Sequence, residues 1–189
     1  MPDHAEQNSP RPGFLRRYVF SLDHKVIGLQ YYFLALASVL IAVGLSLLMR
    51  LEVAWPGKQF GFLKLIFPNA AASGTISPEL YLSMVTMHGT LMVFFVLTVA
   101  PQSAFGNYFL PVQIGARDMA FPRLNMLSFW TTLLGLLVLL SAFFAETGVI
   151  GPISGWTAYA PLSSVGESAG PGQGLAIELW IVSIALFCL

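Results

Sequence analysis

Residues 80–100 form an unbroken apolar run. At about 1.5 Å of helical rise per residue it can cross a hydrocarbon core roughly 30 Å thick. This run most limits what the chain can become, because such a helix must satisfy every backbone group internally. His88 is the only Asp, Glu, Lys, Arg or His side chain in it. An imidazole in hydrocarbon is costly unless it is paired or bound to a metal. Two accounts therefore stand open from local spacing: a hydrogen bond to a neighbouring helix, or a metal.

Composition extends the membrane reading to the whole chain. Of 189 residues, 56% are hydrophobic and only 10% charged, with mean hydropathy +0.74. That balance belongs to an integral membrane protein. The net charge of zero removes any electrostatic case for nucleic-acid binding. The single cysteine, Cys188, excludes an intramolecular disulfide and every paired-cysteine metal motif. Residues 1–13 are polar and lack the basic-then-apolar plan of a signal peptide, so residues 1–26 are expected to be a flexible tail.

Spans are expected at about 27–49, 80–104, 124–145 and from 175 onward, making 27–189 a transmembrane bundle. The fourth run is still apolar at Leu189, so the chain is expected to be a piece of a longer polytopic subunit. The tail and the 105–123 connection hold six basic residues: Arg11, Arg16, Arg17, Lys25, Arg117 and Arg123. The opposite side holds three, Arg50, Lys58 and Lys64. The positive-inside rule then makes the N-terminus cytoplasmic. His88 would lie about 12 Å below the outer surface, Arg50 at the outer end of the first helix, and Asp118 at the inner surface.

The candidate site residues each have a structural and a functional account. On a helix His88 shares a face with Tyr81, Met84, Leu91, Met92 and Phe95, which suits a bundle core or a flat pocket around a macrocycle with imidazole as axial ligand. Gly89 and Thr90 are small enough to admit a bulky group. Arg50 is either an interfacial arginine snorkelling outward or a donor to a buried cofactor group. Glu52 is either a solvated loop carboxylate or, with the Trp55-Pro56-Gly57 turn, a ligand for a hard cation. Asp118 is either in a surface ion pair with Arg117 or Arg123, or a proton-collecting acid. Asn107 and Asn125 flank it, and water chains could satisfy their amides. Trp156 and Tyr159 suit an interfacial aromatic belt or donors to a cofactor carboxylate.

Five stretches, in order, resemble subunit I of the haem–copper oxidases, of the aa3 cytochrome c oxidase type. They are Ser21-Leu22-Asp23-His24-Lys25-Val26-Ile27-Gly28, Ser46 to Glu52, Thr86 to Phe95, Gly106-Asn107-Tyr108 with Ile114 to Asn125 and Ser128-Phe129-Trp130, and Gly155 to Leu162. The resemblance implies an all-α membrane protein, the N-terminal four transmembrane helices of a twelve-helix haem–copper oxidase bundle. It implies His88 as one axial ligand of low-spin haem a, with Arg50 on its formyl group and Tyr81 near its edge. Trp156 and Tyr159 would lie by the haem propionates, Glu52 and Gly57 at an outer cation site for calcium or sodium. Asp118, Asn107 and Asn125 would form the mouth of a proton pathway.

The implied protein is a catalytic subunit of a terminal respiratory oxidase in a bacterial inner membrane. It would pass electrons from cytochrome c through haem a to a haem a3–CuB site that reduces oxygen to water and pumps protons. That site, the second haem a ligand and all catalytic residues would lie beyond Leu189. Subunits II, carrying CuA, and III would be partners, with membrane lipid around them. The quinol-oxidising branch carries polar residues where this chain has Ile41, Leu45, Leu80 and Ser83, which favours cytochrome c as donor. The opposing expectation is a non-enzymatic polytopic protein in which His88 only packs.

Overall fold

The computed structural model describes residues 13–68, 71–145, 151–161, 163 and 174–189. Residues 1–12 of the expected tail, Arg11 among them, and residues 146–150, 162 and 164–173 of the 146–174 loop lie outside them. The described residues contain helices and turns, with no strand among them. Three helices are long and apolar enough to cross a membrane, and a fourth apolar helix is shorter.

Helix α1 spans His24–Ala54, further at both ends than the 27–49 expected. Asp23 starts it by accepting the Lys25 backbone N–H at 2.8 Å, an N-cap that satisfies one orphan donor. At the far end Arg50 and Glu52 are helical. Charge there does not end the helix, because Glu52 Oε1 accepts the Gly57 N–H at 3.0 Å and closes the terminus. Pro56 cannot continue the helix, and Gly57 turns the chain at φ +70. The following connection is not purely a surface loop. It carries a short helix, α2 (Leu63–Ile66), and buries Leu63, Phe67, Ala71 and Ile76.

Helix α3 runs over Pro78–Gln113. The Ser77 hydroxyl accepts the Leu80 N–H at 3.2 Å and Pro78 occupies the first turn, where its missing donor costs nothing. Its turns are α-helical over Pro78–Thr90, widen to i→i+5 bonding over Leu91–Phe105, and return to α over Gly106–Gln113. Pro101, which has no N–H to donate, sits inside the wide stretch. The expected end at residue 104 is therefore too early. The helix continues through Gly106 and Pro111, with Asn107 and Pro111 buried.

Helix α4 (Pro122–Phe144) starts on Pro122 at its first turn and ends in a tighter turn at Ala142–Phe144. Helix α5 is Leu175–Cys188.

Helices α1 and α3 are antiparallel and in register along their length. His24 bonds Asn107, Gly28 abuts Ala104, Ala42 bonds His88, and Arg50 shares a cavity wall with Tyr81. Helix α4 joins α1 through Tyr31 Oη, which donates to Ser128 Oγ at 2.9 Å, and through the Tyr31–Phe129 edge contact at 5.2 Å. It joins α5 where Ser183 Oγ donates to the Gly135 carbonyl at 2.8 Å.

Candidate functional site

His88 faces α1. Its Nδ1 lies 2.9 Å from the carbonyl oxygen of Ala42. A carbonyl oxygen can only accept, so Nδ1 must carry the proton of the neutral ring. Nε2 then holds the lone pair, and among the described residues it has no hydrogen-bond partner. A histidine fixed in this way has its tautomer and ring plane set for a metal at Nε2. The ring is half-buried. Met84, Leu91 and Phe95, expected on its face, are fully buried. Among the described residues no three His, Cys, Asp or Glu side chains cluster around a potential ion. His88 is thus suited to be one ligand of a group held from elsewhere as well.

The space beside Gly89 is occupied by indole. A Cβ on Gly89 would lie 3.7 Å from Trp156 Nε1. Thr90 is not an open gap either. It is fully buried, and its hydroxyl accepts from Trp156 Nε1 at 3.1 Å and Trp180 Nε1 at 2.9 Å. Trp156 also packs on Phe94 at 5.4 Å between centroids, and Phe187 meets Phe94 and Phe95 edge-on. Sequence reasoning missed Trp180 because an indole in an apolar run looks like packing until its N–H is traced.

Toward the other end of the same seam, Arg50 and Tyr81 line a cavity of about 280 Å³ with Ser46, Met49, Val53 and Ala54. Arg50 is eight residues along α1 from Ala42, about 12 Å by helical rise, so it sits nearer the end of the seam than His88. Glu52 is half-buried. One carboxylate oxygen holds Gly57, and the other, Oε2, is buried without a partner. Tyr159 is 75% exposed, and the structure does not bring it to His88 or Arg50.

At the opposite end Asp118 lines a polar cavity of about 520 Å³ with Asp23, His24, Lys25 and Arg117. Its carboxylate accepts the Met119 N–H at 2.7 Å. Among the described residues it forms no ion pair with Arg117 or Arg123. His24 is buried, and its Nδ1 donates to the Asn107 carbonyl at 2.8 Å, which ties the cavity to Asn107. Asn107 Nδ2 donates to the Ser103 carbonyl, while its Oδ1 is buried and unpartnered. Asn125 Nδ2 is likewise buried and unpartnered. Asn125 lines a separate cavity of about 630 Å³ with Phe121, Ser128 and Thr131. Buried amide atoms without protein partners are ordinarily met by water.

These features define a class: a helical membrane protein presenting one neutral, oriented histidine near one end and a polar, acid-containing cavity at the other. Comparison with known sequences gives the family. The family described as cytochrome c and quinol oxidase polypeptide I matches residues 26–189. The chain is 45% identical over 187 residues to the alternative cytochrome c oxidase subunit 1 of Bradyrhizobium diazoefficiens, covering 99% of this chain and 28% of that protein. It is 39% identical over 181 residues to cytochrome c oxidase subunit 1 of Cereibacter sphaeroides, covering 88% and 32%. It is 42% identical over 182 residues to the heme–copper oxidase subunit I+III of Aeropyrum pernix, covering 92% and 20%. The chain belongs to the cytochrome c and quinol oxidase polypeptide I family, the subunit I family of the respiratory haem–copper oxidases. It spans between a fifth and a third of the length of these relatives.

Proposed function

We propose that this chain is part of the catalytic subunit of a terminal respiratory oxidase that oxidises cytochrome c and reduces oxygen to water. In the assembled bundle its apolar helices would be the first four of twelve, with the N-terminus cytoplasmic in a bacterial inner membrane. The bond from His88 Nδ1 to Ala42 carries the reading, because it leaves Nε2 as a metal ligand in an apolar seam. His88 would hold the iron of low-spin haem a, with Arg50 reaching its formyl group, Tyr81 near its edge, and Trp156 and Tyr159 by the haem propionates. When bound, the haem supplies one-electron redox chemistry. The chain's own residues fix the imidazole, whose Nδ1 is held by the Ala42 carbonyl, and surround it with the buried side chains of Met84, Leu91 and Phe95 on the same helix.

Asp118 would collect protons at the cytoplasmic mouth, where an exposed carboxylate free of ion pairs can exchange with bulk water. Asn107 and Asn125 would hold water inward of it, which the unpartnered Oδ1 and Nδ2 atoms support. Glu52 and the Gly57 turn would bind a calcium or sodium ion at the outer face, supported by the unpartnered Oε2. Haem a3 and CuB would come from the rest of the subunit, and CuA from subunit II, with subunit III completing the core.

Cytochrome c is favoured over quinol because the seam positions in question are apolar or small and interior. Leu45, Leu80 and Ser83 are buried, and Ile41 packs on the core. Oxygen uptake by the full-length purified complex tests the donor. Turnover with reduced cytochrome c and none with quinol is expected, whereas quinol-driven turnover contradicts the assignment.

A further inference from the structure

We propose that residues 14–20, the segment leading into α1, are a docking surface for the headgroups of anionic phospholipids. Gln30 lies six residues into α1, about 9 Å along its axis from His24. Its Nε2 donates to the Tyr18 carbonyl at 2.6 Å and to the Val19 carbonyl at 3.0 Å. Phe20 stacks on Trp130 of α4, with ring centroids 5.3 Å apart. Trp130 is eight residues past Pro122, about 12 Å from the start of α4. Two separate fastenings thus fold the segment back along the bundle, level with residues well inside its apolar helices. Arg16 and Arg17 stand immediately before the clamped carbonyls and are exposed. Among the described residues neither forms an ion pair. Arg17 Cζ lies 5.3 Å from the centroid of the Tyr18 ring. Around the two arginines Phe14, Leu15, Tyr18 and Phe20 are exposed, and Leu29 and Phe33 of α1 are exposed too. Apolar and aromatic side chains at the edge of a membrane bundle face lipid. A guanidinium held there without a carboxylate reaches outward to the phosphate level, and basic groups in that place select anionic headgroups. The proposal goes beyond the oxidase reading and requires only that the bundle spans a membrane, so it does not depend on what His88 ligates.

The test uses the full-length assembled complex, with the photocrosslinker p-benzoylphenylalanine in place of Phe14. It is placed in nanodiscs of equal parts dioleoylphosphatidylglycerol and dioleoylphosphatidylcholine. Irradiation followed by mass spectrometry identifies what is bonded at that position. We expect lipid adducts, with phosphatidylglycerol favoured over phosphatidylcholine by about fivefold or more, the factor that one basic residue near an anionic surface supplies. Arg16→Gln with Arg17→Gln is expected to bring the adducts close to the bulk ratio. Gln30→Leu keeps both charges but releases the segment, and is expected to lower the preference. Lys64→Gln removes a charge from the opposite end of the bundle and is expected to leave the preference unchanged. Size-exclusion elution of each variant reports assembly. Adducts to protein alone overturn the surface, because another part of the complex then covers it. The bulk ratio in the parent, or an unchanged preference in the double variant, overturns selection by the arginines. An unchanged preference in Gln30→Leu overturns the clamp. A fall in Lys64→Gln equal to that of the double variant marks a bulk charge effect and overturns the site.

Discussion

The imidazole Nδ1 of His88 on α3 donates to the carbonyl of Ala42 on α1 across 2.9 Å. Among the described residues, the other polar cross-link between these two helices is the same bond in reverse, from His24 on α1 to the Asn107 carbonyl on α3. Each bond settles which nitrogen holds the proton. Each also places a histidine at an end of the seam where chemistry is proposed.

The seam depends on close approach at Gly28. A Cβ there would lie 3.0 Å from the Ala104 carbonyl oxygen and from Tyr108 N, and both are backbone atoms that cannot swing aside. Gly28→Ala gains about 1 kcal/mol of helix propensity and loses about 1–3 kcal/mol to overpacking. The expected result is a lower unfolding midpoint, and a larger fall for Gly28→Val. Gly44→Ala on the same helix meets nothing within 4 Å and is expected to hold or raise the midpoint. Equal effects at the two glycines would count against the close seam.

The proposed cation site at Glu52 predicts a ligand-dependent stability. Glu52 Oε2 is buried without a protein partner, so a hard cation that binds there stabilises the folded state in proportion to its occupancy. Calcium or sodium is expected to raise the thermal midpoint of the full-length complex, and Glu52→Gln to abolish that rise. A rise of equal size in the variant would show that the ion acts elsewhere.

Asp118→Asn removes the exchangeable proton and keeps the shape and the Met119 contact. Haem content is expected to be unchanged, with proton uptake slowed at least tenfold and pumping lost, read as the proton-to-electron ratio in liposomes. An unaltered ratio would remove Asp118 from the pathway.

The helices were legible where sequence carries a start signal. Ser77-Pro78 and Pro122 open α3 and α4 within two residues of the expected bounds. The ends were harder to read. Arg50 and Glu52 looked like the border of a loop, but Glu52 closes the α1 terminus on Gly57. The expected end of α3 at residue 104 fell short, because the helix runs on through Gly106 and Pro111 with Asn107 and Pro111 buried. His88 was legible as the residue needing an explanation, since no periodicity accounts for an imidazole in that run. Its partner was not, because Ala42 offers only a backbone carbonyl. Thr90 looked like a small neighbour, because its two indole donors are 66 and 90 residues away. Hydrogen bonds at such separations leave no periodic trace.

The central claim is that His88 ligates a low-spin haem rather than merely bridging two helices. The most direct measurement is a reduced-minus-oxidised spectrum of the purified full-length complex carrying His88→Ala. Loss of the low-spin haem a band, with the complex still assembled, is the predicted result. A normal low-spin band in that variant would contradict the claim and leave His88 as a packing residue.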